Sequence, residues 1–243
     1  MLMYDEDLQV SVVLPAYNEQ ENLRLLIPGI VSAVSNLYPE YEIIIVDDGS
    51  TDQTRQVVSD LIKQFSDIRY IRLSRNSGLS TALAVGYAKS RGDIIVSMDS
   101  DLQYDPNDIG KLTAKLPDYD LVCGKRGKRY DNFFRRLCSK MANKIRSLII
   151  GDGIKDSGCI FRAFHRKAIN DIYMFKGFHR FLPAMFKFKD LRVIEVDVNH
   201  FPRKHGKSKY NLRNRLVITF LDMLMLKWGK CREIRYEIDE QIP

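Results

Sequence analysis

Residues 42–48 read Glu-Ile-Ile-Ile-Val-Asp-Asp, a run of four β-branched residues that closes on two aspartates. β-branched side chains pack well on a pleated surface, and an unbroken apolar run is typical of a strand buried on both faces. Gly49 and Ser50 follow the aspartates and are typical of a turn. The sequence therefore predicts a buried strand that carries two carboxylates at its carboxyl end.

Similar apolar runs lie on either side of this segment and alternate with helical patterns. The predicted strands are 10–15, 42–48, 68–73 and 93–99, and the predicted helices between them are 19–37, 51–65 and 78–90. This alternation with short links predicts an α/β fold with a doubly wound, mainly parallel sheet and helices on both faces. Ligands of such sheets bind beyond the carboxyl ends of the strands.

Polar residues follow three of these strands, in 15–19, 47–52 and 99–101. Asp99 and Asp101 are one residue apart on a bend, so both carboxylates can reach one hard cation. A divalent metal held there could neutralise a departing diphosphate. The alternative is that acidic and hydroxyl residues at strand ends only cap the next helix, as Asp105 before Pro106 does, and as Ser50 or Thr51 could do.

Charge is divided unevenly along the 243 residues. Residues 1–122 carry a net charge of −9 and residues 123–243 a net charge of +16, while the composition, 45% hydrophobic and 28% charged, is that of a globular protein. Residues 123–146 hold nine Lys or Arg and one Asp, in a predicted basic helix over 133–150. The second half is therefore expected to meet an anion, whether nucleic acid, lipid phosphate or membrane surface.

The sequence also limits the compartment and the class of site. The four cysteines are far apart and no His stands at metal-ligand spacing, so disulfides and zinc are not expected. The first ten residues have no apolar signal core, so a secreted protein is not expected. The longest apolar run, 216–226, is interrupted by Thr219 and Asp222 and is shorter than the roughly 20 residues of a spanning helix.

Three segments together resemble the family 2 glycosyltransferases: VVLPAYNE (12–19), VDDGSTD (46–52) and MDSDLQ (98–103). The resemblance implies a GT-A-type fold that binds a nucleotide sugar and Mg²⁺ or Mn²⁺. It implies donor-binding roles for five residues after the first two strands, namely Pro15, Tyr17, Glu19, Asp47 and Asp48. It also implies that Asp99 approaches the ribose or sugar, and that Asp99, Asp101 and Gln103 hold the metal.

The second half resembles the polyprenyl-phosphate branch of that family, typified by dolichol-phosphate mannosyltransferase. The resemblance lies in DSG (156–158), CIFR (159–162), HRFLP (179–183) and HGKSKY (205–210). It implies that Arg126 lies near the two phosphates and that Arg135 and Ser139 grip the acceptor phosphate. A basic loop over the donor diphosphate would contain Arg203, Ser208 and Lys209.

The expected organisation is a catalytic domain over 1–211, divided into a nucleotide-sugar and metal half (1–122) and a basic acceptor half (123–211). An amphipathic helix and tail would follow over 212–243. The expected activity is inverting, metal-dependent transfer of one sugar from a GDP- or UDP-sugar to a dolichyl or undecaprenyl phosphate. The site would lie at the cytoplasmic membrane face, with the membrane surface and a membrane-anchoring protein as partners and without nucleic acid.

Two alternatives and two local questions stay open. The acceptor could be a saccharide hydroxyl, although the Gln-x-x-Arg-Trp motif of such enzymes is missing and the one tryptophan is Trp228. From another class, the basic half could form a nucleic-acid-binding module. The role of Asp156 is open. The last predicted helix, 212–230, could lie in the membrane interface, pack on the domain, or do both with different faces.

Overall fold

The computed structural model describes residues 9–127, 146–203 and 212–233, with side chains in the last segment described from residue 217. Its centre is a seven-stranded sheet with the order β3-β2-β1-β4-β6-β5-β7. The strands are β1 (Val10–Ala16), β2 (Tyr41–Asp47), β3 (Ile68–Arg72), β4 (Ile94–Ser97), β5 (Leu121–Arg126), β6 (Arg162–His165) and β7 (Val193–Val198). Neighbouring strands are parallel except at β6, which runs antiparallel to β4 and β5. The predicted mainly parallel α/β sheet is confirmed.

The helices alternate with the strands in the first half, as predicted. They are α1 (Gln20–Ser35), α2 (Thr54–Ile62), α3 (Leu79–Lys89), α4 (Ile109–Thr113), α5 (Leu182–Phe188) and α6 (Leu212–Cys231). The alternative interpretation, in which Ser50 or Thr51 caps the second helix, does not hold. That helix begins later, where Asp52 Oδ1 accepts the Thr54 N–H at 2.9 Å, and Ser50 instead contacts the turn after β1.

The sheet is covered on both faces, and β1 lies at its centre with all seven residues buried. Alternate side chains of β1 enter two different clusters, because successive side chains of a strand point to opposite faces. Val12 and Leu14 pack with Leu23 of α1, whereas Val13 packs with Leu83 of α3. This arrangement fixes the carboxyl ends of β1, β2 and β4 side by side.

The second half of the chain contributes the antiparallel strand β6 and the last strand, β7, to the sheet. The strand predicted over 159–164 is β6, which begins at Arg162, and the strand predicted over 191–198 is β7, which pairs with β5. Only residues 146–150 of the predicted basic helix lie in the described part of the chain, and they are helical. Arg146 there is buried and pairs with Asp152.

Helix α6 has two different faces. Met223 is buried among the side chains of the second cluster, while the opposite side exposes large apolar residues, among them Val217, Leu221, Met225 and Trp228. The packing hypothesis therefore holds for one face of this helix, and the membrane-interface hypothesis stays a prediction for the other face. No helix in the described residues is long and apolar enough to cross a membrane.

Candidate active site

The turns after β1 and β2 are joined by hydrogen bonds in both directions. The Asn18 N–H donates to Ser50 Oγ at 2.9 Å, and Asn18 Oδ1 accepts the Thr51 N–H at 2.8 Å. One residue on, the Glu19 N–H donates to Thr54 Oγ1 at 3.0 Å. The first two polar segments predicted from the sequence thus form one continuous wall.

The predicted donor-binding residues of the first turn lie at this wall. Pro15 is buried within β1, and its carbonyl accepts a hydrogen bond from the Ser100 hydroxyl at 2.9 Å. Tyr17 and Glu19 are partly exposed, and Glu19 Oε2 accepts from Asn22 Nδ2 at 2.5 Å. The Ser100 hydrogen bond ties the end of β1 to the loop that holds Asp99 and Asp101.

Asp47 is fully buried and its carboxylate is surrounded by donors. Oδ1 accepts the Ser50 N–H at 2.7 Å, while Oδ2 accepts the Tyr70 hydroxyl and lies 3.6 Å from Arg72 Nε. Tyr70 and Arg72 are two residues apart on β3 and so point to the same face of the sheet. Neither residue was predicted from the sequence, although their spacing in a strand beside β2 is the signal that could reveal them.

Asp48 serves a different neighbour from Asp47. Its two carboxylate oxygens accept the backbone N–H groups of Ser77 at 2.6 Å and Gly78 at 2.8 Å, directly before α3. The loop can come this close because position 49 is glycine: a Cβ there would lie 2.6 Å from the Arg75 carbonyl carbon, and its φ is +72°. Asp48 therefore fixes the start of α3, and a direct contact with the donor remains a prediction.

Asp99 and Asp101 lie in the loop after β4 and near one another. Asp101 Oδ1 accepts the Gln103 N–H at 3.3 Å, and Leu102 between them has the left-handed φ of 60°. Burial, and then repulsion from Asp101, raise the pKa of Asp99 to about 7, against the opposing effect of Arg126 and Arg203. The two carboxylates repel one another, and a divalent cation bound by both would relieve that repulsion. The pair therefore fits such an ion.

The residues that could hold a metal are those predicted from the sequence. Gln103 donates through Nε2 to the Phe201 carbonyl at 3.2 Å, which leaves its oxygen for other contacts. No group of three or more His, Cys, Asp or Glu comes together in the described parts of the chain. The candidate set is thus two carboxylates and one amide, all oxygen ligands of the kind that Mg²⁺ and Mn²⁺ prefer.

Two arginines approach the aspartates from the second half of the chain. Arg203, in the segment after β7, donates through Nη2 to Asp101 Oδ2 at 2.5 Å. Arg126, the last residue of β5, forms a two-point ion pair with Asp156, with both nitrogen–oxygen distances at 2.7 Å. The structure therefore places Arg126 and Arg203 near the acidic corner, and their phosphate-binding roles stay predictions.

Four predicted phosphate-binding residues lie outside the described residues: Arg135, Ser139, Ser208 and Lys209. The predicted roles of Arg135 and Ser139 at the acceptor phosphate, and of Ser208 and Lys209 at the donor diphosphate, stay predictions. The site that can be described consists of the wall after β1 and β2, the aspartates after β4, and the two arginines.

Comparison with known proteins gives the same fold. Glucosyl-3-phosphoglycerate synthase from Mycobacterium tuberculosis, in complex with Mn²⁺, uridine diphosphate and glucosyl-3-phosphoglycerate, has a TM-score of 0.68 and 19% identity over 93% of this chain and 81% of that chain. The same synthase with Mn²⁺ and uridine-diphosphate-glucose has a TM-score of 0.68 and 22% identity over 91% and 79%. A mycobacterial protein has a TM-score of 0.69 and 23% identity over 91% and 75%. At these identities the likeness shows the shared GT-A-type fold.

The family itself is shown by the sequence match. The model of glycosyl transferase family 2 matches residues 11–173. This range contains all three polar segments at the strand ends, together with Arg126 and Asp156. The chain belongs to glycosyl transferase family 2 and is a glycosyltransferase.

Proposed function

We propose that this glycosyltransferase transfers a single sugar from a GDP- or UDP-sugar to a polyprenyl phosphate, dolichyl or undecaprenyl, at the cytoplasmic face of a membrane. The observation that carries the proposal is the meeting of the Asp99 and Asp101 carboxylates with Arg126 and Arg203 at one edge of the sheet. Carboxylates there suit a metal, and arginines suit the phosphates of donor and acceptor.

Asp99, Asp101 and Gln103 would hold Mg²⁺ or Mn²⁺. When bound, the ion would neutralise negative charge on the leaving nucleoside diphosphate. Solved complexes of the Mycobacterium tuberculosis synthase contain Mn²⁺ or Mg²⁺ with uridine diphosphate, which supports the same kind of donor and metal for this chain. Arg203 already lies against Asp101, within reach of a diphosphate at that corner.

A lipid phosphate suits the groups that surround the site. It is an anion at neutral pH, so it needs cations to hold it more than a base to activate it. In the transfer, a phosphate oxygen forms the new bond to the anomeric carbon while the bond to the nucleoside diphosphate breaks. Attack from the opposite face inverts the anomeric centre. The carboxylate of Asp156 is engaged with Arg126, which is consistent with a reaction that uses no base at this position.

The exposed face of α6 supports delivery of the acceptor from a membrane. Leu221, Met225 and Trp228 are 58%, 43% and 66% exposed and lie on one side of the helix at i, i+4 and i+7 spacing. Lys227, Lys230 and Arg232 stand nearby in sequence and would favour an anionic leaflet. A protein that anchors the chain to the membrane remains part of the proposal.

A second candidate acceptor is a hydroxyl compound. Other solved structures of the Mycobacterium tuberculosis synthase are complexes with phosphoglyceric acid, which carries its own phosphate. A small phosphorylated acceptor would use the same arginines, and a saccharide hydroxyl is the other member of this class. Both would require a group that removes the hydroxyl proton, and both would yield a water-soluble product.

Partition of a labelled product tests the proposal. The protein is incubated with Mn²⁺, a labelled donor (UDP-glucose or GDP-mannose in turn) and vesicles that contain undecaprenyl or dolichyl phosphate. We expect label in the organic phase, and loss of that label in Asp101→Asn. Phosphoglycerate and oligosaccharides serve in parallel reactions without lipid. Label that stays aqueous, with lipid-free acceptors consumed, would overturn the lipid acceptor and leave the glycosyltransferase assignment intact.

A further inference from the structure

We infer that Asp156 and Glu195 are positioning residues that hold the Arg126 guanidinium at the active site. The inference rests on the proposed role of Arg126 at the phosphates. It assigns a function to the Asp-Ser-Gly segment (156–158) that the sequence left open, and to Glu195 on β7, which no motif singles out.

The first contact is a two-point ion pair with little water around it. Arg126 Nε and Nη2 donate to Asp156 Oδ2 and Oδ1, both at 2.7 Å, and the Arg126 N–H adds a bond to Oδ2 at 3.2 Å. The two side chains are 16% and 8% exposed. A planar guanidinium held at two nitrogens loses its rotational freedom, so Nη1 is the nitrogen of the head group that the pair does not occupy.

Glu195 holds the turn that carries Asp156. Its carboxylate accepts the Lys155 N–H at 2.9 Å and the Asp156 N–H at 2.8 Å. Glu195 lies on β7 opposite Cys123 of β5, the strand that ends at Arg126. Arg126 belongs to β5, and the turn that carries Asp156 is held by Glu195 of β7. Both members of the ion pair are therefore attached to the same two paired strands.

Gly158 provides the space that this arrangement needs. A Cβ at that position would lie 3.2 Å from Arg126 Nη2 and 3.8 Å from Asp156 Oδ1. The guanidinium thus lies against backbone that carries no side chain. Asp156 is the ion-pair partner of Arg126, and Gly158 leaves the space that the guanidinium occupies.

Arg126 and Asp99 lie at the same edge of the sheet. Ser97 of β4 and Cys123 of β5 both pair with Arg162 of β6, so the residues that follow them along the two strands, Asp99 and Arg126, reach the same edge. Burial alone would lower the pKa of Arg126, but the hydrogen bonds to Asp156 and the charges around it raise that pKa above the ordinary value. Arg126 is thus a fixed cation beside the aspartates rather than a mobile surface charge.

A double-mutant cycle separates positioning from other roles. Activity is followed as nucleoside diphosphate release from UDP-glucose or GDP-mannose, whichever the wild type turns over, with and without polyprenyl phosphate. We expect Arg126→Ala to lower kcat/KM on the order of 100-fold, as loss of one charged donor to the transition state commonly does. Asp156→Asn and Glu195→Gln should lower it less, roughly 10-fold, through kcat more than KM.

The decisive comparison is the double variant Arg126→Ala/Asp156→Asn. If Asp156 acts through Arg126, this variant is no worse than Arg126→Ala alone, because effects through one group do not add. A general base at Asp156 would give multiplied losses and remove the acidic limb of the pH–rate profile. Either result overturns the inference. Asp93→Asn/Arg166→Ala removes an acid–arginine pair before β4, at the far end of the strands, and should keep wild-type kinetics.

A second measurement does not depend on turnover. In ¹H–¹⁵N spectra the Arg126 Nε–H, identified by its loss in Arg126→Lys, should exchange slowly with water in the wild type. It should exchange fast in Asp156→Asn and at an intermediate rate in Glu195→Gln. Rapid exchange in the wild type would overturn the two-point hold. If Arg126→Ala were fully active while exchange behaved as expected, the proposed role of Arg126 would fail and the positioning geometry would stand.

Discussion

Asp47 and Asp48 are adjacent in sequence, yet their carboxylates bind opposite neighbours. Asp47 meets Tyr70 and Arg72 of β3, and Asp48 meets the backbone before α3. Successive residues at a strand end point to opposite sides, so two aspartates in a row can support two different parts of a pocket. The paired aspartates therefore combine one buried charge centre with one loop anchor.

The hydroxyl of Tyr70 is the part of the Asp47 site that is easiest to remove. We expect Tyr70→Phe to lower the free energy of unfolding by about 1–2 kcal/mol, since it withdraws a donor from a buried carboxylate. Burial, followed by the hydrogen bond to Asp47, raises the pKa of Tyr70, so the hydroxyl stays protonated as a donor at neutral pH. Binding of UDP or GDP with Mn²⁺, measured by calorimetry, should weaken several-fold.

Tyr41→Phe is the matched control for that variant. Tyr41 begins β2 at the opposite end of the strand, where burial and the negative charge of Asp67 raise the pKa of its hydroxyl. The Tyr41→Phe variant should leave nucleotide affinity unchanged. Equal affinity in Tyr70→Phe and wild type would show that Asp47 does not depend on Tyr70 for its part in the donor site.

At the scale of elements, the contact of α3 with β1 depends on Gly86. A Cβ at this position would lie 2.2 Å from Val13 Cγ1, and Val13 is fully buried within β1. We expect Gly86→Ala to lower the free energy of unfolding by about 1–3 kcal/mol, because the strain exceeds the gain in helix propensity. Urea denaturation measures the change.

Gly110→Ala in α4 is the matched control for the change in α3. Its Cβ would meet the Leu37 side chain, with Cδ1 at 3.3 Å and Cδ2 at 3.6 Å, and Leu37 is 48% exposed and free to move aside. This variant should be neutral or slightly more stable than the wild type. A Gly86→Ala protein as stable as Gly110→Ala would contradict the close helix–strand packing described above.

Helix α6 gives a second prediction at this scale, which concerns the proposed membrane contact. Replacing Leu221, Met225 and Trp228 with Ser should abolish co-sedimentation with anionic vesicles, because it removes the exposed apolar face. The melting temperature should change little, since these side chains are exposed. Met223→Ala should lower the melting temperature and leave vesicle binding unchanged, because Met223 is 4% exposed and packs on the domain. Vesicle binding that survives the triple change would contradict the proposed membrane-facing surface.

For the whole molecule, burial divides the described cysteines into two classes. Cys123 in β5 and Cys159 shortly before β6 are buried, and burial raises their pKa to about 12 and about 11, whereas Cys231 at the end of α6 is exposed. The thiolate is the reactive form, so a raised pKa keeps the buried thiols protonated and inert. With iodoacetamide at pH 8, peptide mass spectrometry should find Cys231 modified, and Cys123 and Cys159 modified only in denaturant. Modification of either in the native protein would contradict the fold around β5 and β6.

Much of the molecule could be predicted from local pattern. The four strands and three helices of the first half were placed within a few residues, because apolar periodicity and turn residues are local signals. The sequence did not predict that β6 enters the sheet between β4 and β5 with reversed direction. Strand order depends on which apolar faces meet after the chain has crossed over, and this information is spread over the whole fold.

The α/β class, the family and the three polar segments at the strand ends can be read from the amino-acid sequence. Each follows from residues that are close together in the chain. The partner of each charged residue depends on the tertiary structure: Asp48 with the start of α3, Arg126 with Asp156, and Asp101 with Arg203. These partners are 30 to 102 residues apart. Such hydrogen bonds depend on distance and direction in space, which packing sets and local periodicity does not record.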